Sequence, residues 1–502
     1  MTLTKYVGIL ASGFALTGAA FAQGTDTASA IAERDAIAQL KAEVANLKSQ
    51  NGDKWLTEER AAEIKSLVKD VLADSETRTS LQGSGATSGY NNGFFISSAD
   101  GNFKLNLSLL AQARFTWNYQ PGKNIGTGPD GTTSGTGDAV STWAFENRRT
   151  QMAFAGNVVD PSWTYMARMN YGSAVDPYTP TSGDVVLQDA WVNKDFGNGV
   201  GLKMGQFKSP FMAESLRNDG AQLTAERSVV DYTFSGGYTQ GIMLNYSADQ
   251  IRAMGSYNNG PRGQNGTWST ASNNSISLSG RVEFKAMGSW SQFDTESSLK
   301  SDESGLVVGA AIQYYNNRGT DVEGRYNPSV QSPIYGATLP DGTQLTTTGA
   351  VDWTVDATFK SGGMNMSVAF VGANYAATDE AGADTGFNGA RNSYAFVVQG
   401  GYRFTDSLEA FGRWEWLNVA NGAATPDSEV PGDATDVNNI LTFGVNVYAG
   451  TNMKWTTQFG ISLSDIGNSV GAAELGGAAW QADANTASAN QMNVITQLQI
   501  MF

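Results

Sequence analysis

The sequence predicts an all-β transmembrane barrel of 16 antiparallel strands, preceded by a short α-helical N-terminal region. Three observations lead there. From residue 103 onward, apolar and polar residues alternate in segment after segment, the period of a strand with one greasy and one wet face. The links between these segments are alternately short and long. No stretch after residue 22 is apolar for 18 residues, so helices do not cross a bilayer here.

Residues 1–22 read as a secretory signal peptide: Lys5, the apolar run "YVGILASGFALTGAAF", then Ala20-Phe21-Ala22 ahead of a cleavage before Gln23. Residues 23–52 read either as a coiled-coil segment, with Ile37, Leu40, Val44 and Leu47 in an a/d seam of about two heptads, or as a solvated single helix. Residues 53–80 form an amphipathic helix, with Thr57 as N-cap, Glu58 and Glu59 in the first turn, and a stripe of Ile64, Leu67, Val68, Val71 and Leu72. Residues 81–102, with "LQGSGATSGYNNG", read as a flexible linker.

Residues 103–502 carry the strands. "FKLNLSLLAQARFTWNY" (103–119) places Phe103, Leu105, Leu107, Leu109, Phe115, Trp117 and Tyr119 on one face and Lys104, Asn106, Gln112 and Arg114 on the other. "SISLSGRVEFKAM", "VDWTVDATF", "YAFVVQGGYRF", "MKWTTQFGISL" and "MNVITQLQIMF" repeat the pattern. The alternation slips between Phe145 and Met152, as a β-bulge makes it do. Tight links such as "DPS", "SGG", "TD" and "AGT" alternate with long Gly- and Asn-rich ones, and only the link near residues 289–303 is longer than its place in the series predicts. Closure satisfies every backbone N–H and C=O in lipid, and 16 strands leave a water-filled interior. An even strand count puts both ends of the barrel, and the helices before it, in the periplasm. The bilayer and lipopolysaccharide are its surroundings. Phe502 ends an alternating strand, the kind of terminal aromatic that outer-membrane assembly machinery recognises.

The chain has 502 residues, with 0 Cys and 0 His, which removes disulfides, thiolate or imidazole metal sites and His-based catalysis. No cofactor site and no enzymatic constellation emerges. The net charge of -16 argues against nucleic acid as a partner.

"RRTQMAFAGNVVDPSWTYMARMNY" (148–171), "LQDAWVNKDFGNGVGLKMGQFKSPF" (187–211) and "AERSVVDYTF" (225–234) resemble the phosphate-selective porins O and P. The resemblance covers roughly residues 101–502. It implies a trimer of 16-stranded barrels passing small anions through a lumen narrowed by infolded loops. The helical extension resembles that of longer porins, where a periplasmic coiled coil precedes the barrel.

Phosphate selectivity needs converging Arg and Lys. Alternation assigns to the lumen wall Lys104, Arg114, Arg149, Arg168, Lys203, Arg252, Arg281, Lys285, Lys360, Arg403, Arg413 and Lys454, against Asp189, Glu283, Asp352, Asp356, Glu409 and Glu415. Leu110 and Phe411 also point inward. Such a wall either favours anions or is neutralised by its own acids. Residues 209–237 are either an infolded constriction or an external loop. On the first reading Lys203, Lys208, Arg217 and Arg227 line the passage, with Arg114, Arg168, Arg252, Arg281, Lys285 and Arg413 behind them. Asp427, Glu429, Asp433 and Asp436 form either a Ca²⁺ site or a solvated acidic loop. The functional expectation is a porin: a channel for passive diffusion of small hydrophilic solutes, leaning to anions or phosphate. A second reading is an outer-membrane anchor whose periplasmic helices tether the membrane to the cell wall or a partner.

Overall fold

The structure is a computed structural model that describes residues 86–90, 93–122, 139–172, 185–263, 265, 276–316, 345–379, 389–420, 435–464, 466, 480 and 490–502. The chain divides into two compact units, Met1–Ala86 and Thr87–Phe502, and the second holds every described strand. The signal peptide, coiled-coil segment and amphipathic helix expected over 1–80 lie outside the described residues, as do Asp427, Glu429, Asp433 and the side chain of Asp436.

Strands β1 (Thr87–Tyr90), β2 (Phe94–Ser97), β3 (Lys104–Gln120), β4 (Val140–Val158), β5 (Asp160–Asn170) and β6 (Val186–Gly197) are followed by β7 (Val200–Lys208), β8 (Tyr238–Ser247) and β9 (Ile251–Asn258). Then come β10 (Ile276–Met287), β11 (Gly305–Asn316), β12 (Leu345–Ser361), β13 (Met364–Asp379) and β14 (Gly389–Thr405). The series ends with β15 (Leu408–Ala420), β16 (Thr435–Ala449), β17 (Met453–Ser462) and β18 (Met492–Met501). From β3 to β18 each strand pairs antiparallel with the next, and β18 returns to β3 with Met492 opposite Tyr119 and Met501 opposite Leu110. The 16 strands β3–β18 therefore close into a barrel with no free edge.

The faces are inverted relative to a soluble protein. On β10, Leu278, Val282 and Phe284 are exposed while Ser277, Ser279, Arg281 and Lys285 are buried. Met204, Leu244, Ile312, Val355, Phe370 and Phe443 likewise point outward from six other strands. An apolar surface this extensive is stable only against lipid.

Two short strands occupy part of the segment expected as flexible linker. β1 and β2 form a hairpin, and β2 pairs with the start of β3, Phe94 opposite Leu107 and Ser97 opposite Lys104. The correction has a physical source. β18 reaches down β3 only as far as Leu109, which exchanges hydrogen bonds of 2.8 and 3.1 Å with Phe502. Below that point β3 would present unpaired backbone, and β2 satisfies it. Phe94 and Phe502 meet edge to face across the junction, ring centroids 5.6 Å apart.

Local chemistry sets the turns. β6 and β7 are joined by Asn198 (φ 53°) and Gly199 (φ 80°), the Asn-Gly pair of a type I′ hairpin. A Cβ on Gly199 would lie 2.0 Å from the Ser247 carbonyl oxygen, so only glycine fits. The overlong β10–β11 link contains a 3-10 turn, Trp290–Asp294, closed by a capping box between Ser289 and Gln292.

Candidate constriction site

Residues 209–237, which link β7 to β8, fold into the barrel. They carry two short helices, α1 (Ala213–Leu216) and α2 (Val229–Phe234), with a 3-10 turn, Asp219–Ala221, between them. The Ser228 hydroxyl caps α2 by accepting from the Asp231 N–H at 2.9 Å. An apolar cluster fixes one side of the segment. Phe211, Met212, Val229, Val230 and Phe234 pack on Ala311, Val371, Ala395, Val397, Leu417 and Ile440 of β11 and β13–β16. These inward-facing apolar residues interrupt the polar lumen pattern and mark where the segment lies. Leu110 and Phe411, assigned inward from alternation, are buried as well.

Polar contacts tie the segment to nearly the whole circumference. Arg281 donates to the Phe211 carbonyl at 2.9 Å, and Arg413 donates to the Glu226 carbonyl at 2.8 Å. Asn446 and Lys454 donate to the carbonyls of Leu223 and Gln222 at 2.8 and 2.7 Å. Gln499 reaches the Gly220 carbonyl at 2.9 Å. From the short-turn rim, Glu296 of the β10–β11 link accepts from the Leu223 N–H at 2.6 Å and pairs with Arg217 at 3.4 Å. Lys360 donates to three carbonyls of the same link, those of Gln292, Thr295 and Ser297. The link that was too long for a plain turn is thus folded against the constriction.

The densest charge cluster lies where the segment meets β3 and β4. The register slips at Gln112/Ala113, leaving Arg148 as the extra residue of a bulge in β4. Arg148 and Arg149 consequently both face the lumen, where strict alternation admits only one. With Arg114 they converge on Glu226: Arg149 Nη2 is 2.9 Å from Oε2, and Arg114 and Arg148 both donate to Oε1. The Tyr232 hydroxyl donates to Oε2 at 2.7 Å. Burial raises the Glu226 carboxyl, but the three guanidiniums outweigh it and hold the group well below the usual carboxylate range. Asp219 accepts from Arg227 and Gln151 and lies 3.7 Å from Arg149; burial opposes its charge, yet Arg227 and Arg149 hold its carboxyl well below the ordinary value. Asp231 is pushed the other way, by burial and then by neighbouring Glu214.

The remaining sequence-assigned cations divide by partner. Arg168 lies 3.5 Å from Asp189 and donates to Asn218 at 3.2 Å. Arg281 is held by Asp356 and Glu283, Arg413 by Glu415, and Lys285 by Asp249. Arg252 stacks on Trp290, 4.2 Å from the ring centroid. Lys208 donates to the carbonyls of Ser215 and Arg217, and Lys203 sits 4.1 Å over the Trp191 ring. Neither of these two lysines makes an ion pair among the described residues. Sequence reasoning placed Glu226 among the charges of the constriction segment but did not select Arg148 or Glu296; the slip in alternation was the one signal pointing to the first.

Residues 129–464 match the family described as phosphate-selective porin O and P. No curated protein matches the chain. Among solved structures, the chain is similar to OmpF of Salmonella typhi in complex with daunomycin, at 10% identity and TM-score 0.48, covering 83% of this chain and 100% of that one. An anion-selective porin from Comamonas acidovorans gives 10% identity, TM-score 0.45 and coverage of 79% and 99%. The outer membrane channel DcaP of Acinetobacter baumannii gives 12%, 0.45 and coverage of 79% and 97%.

Proposed function

The chain belongs to the phosphate-selective porin O and P family of outer-membrane porins, and from that premise we propose that it is a diffusion channel for small hydrophilic solutes that favours anions. One observation carries the preference: Arg114, Arg148, Arg149, Arg168, Lys203 and Lys208 face inward from β3, β4, β5 and β7 beside the infolded segment, and the last two have no carboxylate partner among the described residues. Unmatched positive charge in a low-dielectric constriction lowers the barrier for anions and raises it for cations. Glu226 and Asp219 of the segment are engaged by arginines, so neither forms an ion pair with Lys203 or Lys208. The family resemblance supports a homotrimer, with the helices before the barrel in the periplasm.

The test is single-channel conductance in a planar bilayer, with reversal potential across a KCl gradient and added phosphate. Triplet steps, anion preference and block by phosphate support the proposal. Cation preference leaves the porin intact and sinks the anion reading. Replacing Lys203 and Lys208 together with Gln should lower the anion-to-cation permeability ratio about twofold or more.

A further inference from the structure

Glu226 is unlike the other acids of the constriction. Its backbone is held from the far wall, by Arg413 on its carbonyl, while its side chain crosses to β3 and β4. It is 1% exposed, and both carboxylate oxygens are engaged: Arg114, Arg148 and Arg149 share Oε1, with Arg149 and Tyr232 on Oε2. Three guanidiniums and a phenol around two oxygens make an oxyanion site whose occupant belongs to the protein. The bulge that turns Arg148 inward beside Arg149 builds a third cation into the site, where Glu146 also pairs with Arg114 and Asp219 lies 3.7 Å from Arg149, while Arg148 has Glu226 as its carboxylate.

We propose that Glu226 is a resident anion that sets the charge selectivity of the channel. While its carboxylate fills the arginine cage, Arg114, Arg148 and Arg149 present no vacant site to a passing anion. Removing its charge hands the cage to small oxyanions in the lumen. This rests on the channel reading given above, but not on the sign of the wild-type selectivity.

The experiment compares the full-length wild type with Glu226→Gln and with Glu226→Gln/Arg149→Gln in planar bilayers, using reversal potentials in KCl and titration with inorganic phosphate. E226Q should raise the anion-to-cation permeability ratio about threefold or more, because one negative charge leaves a poorly screened site. It should also make the chloride current more sensitive to phosphate than that of the wild type. The double variant, which restores the charge count, should return the ratio to near the wild-type value. A merely structural role for Glu226 would not produce that reversal. An unchanged ratio in E226Q, or a double variant no nearer to wild type, overturns the inference. If E226Q does not yield a folded barrel, Arg149→Gln alone is the mirror test: the ratio must fall, and no change overturns the inference. Cation preference in the wild type with these shifts intact would sink only the anion reading.

Discussion

At the scale of single residues, function turns on where alternation breaks. Arg148 reaches the lumen because β4 carries one residue more than β3 opposes, and the slip between Phe145 and Met152 is visible in the sequence. Which of the slipped residues would turn inward was not legible, because that depends on the partner strand's register. The partners of Glu226 were illegible for another reason: nothing local to "AERSVV" shows that three arginines lie across the lumen from it. The Glu226 ion pairs give a pH dependence of definite sign. A carboxyl held below its ordinary value stabilises the docked segment fully above about pH 4.3 and progressively less as pH falls toward its depressed folded value. Acidification below about pH 4 should therefore loosen the constriction, read as rising open-channel noise that E226Q does not show. Val159, alone between β4 and β5, sits at φ 69°, a region costly for a β-branched residue. Val159→Gly should raise barrel stability by about 1 kcal/mol, measured in urea titrations of the refolded protein.

At the scale of elements, the strands were legible and the constriction half so. A two-residue period with a lipid-facing side needs no tertiary information, because each strand meets the same two solvents. Val282, mid-strand on β10 and 54% exposed, tests this: Val282→Arg should cost about 2–4 kcal/mol, whereas a polar residue is already accommodated one position away at Arg281. The docking of residues 209–237 depends on apolar patches contributed by six strands, β11–β16, which only the closed wall brings together. The β10–β11 link had looked merely too long; its length lets Glu296 reach the Leu223 N–H. Glu296→Ala strands that buried donor and should destabilise the segment by about 1–3 kcal/mol, seen as faster protease cleavage within residues 209–237 while the strands stay protected.

At the scale of the whole molecule, the closed ring separates what the barrel needs from what precedes it. β1 begins at Thr87, so a barrel lacking residues 23–85 keeps every described wall contact. Its conductance and ion preference should match those of the full chain, measured side by side in one bilayer. Removing residues 23–97 instead takes away β2, exposes the backbone of Lys104–Leu107, and should lower the refolding yield. The sequence announced the ring through its alternating link lengths, but not β1 and β2, because four-residue strands are too short for a periodic signal to register.

The seam where Phe502 meets Leu109 and Phe94 also has a meaning in time. The ring is closed by β18 pairing back to β3, so no closed wall can exist until β18 has been made. A chain that stops early is an open sheet with two hungry edges, ready to pair with its neighbours. Escort of the unclosed polypeptide is therefore a requirement written into the topology, and completion of β18 is the event that ends it.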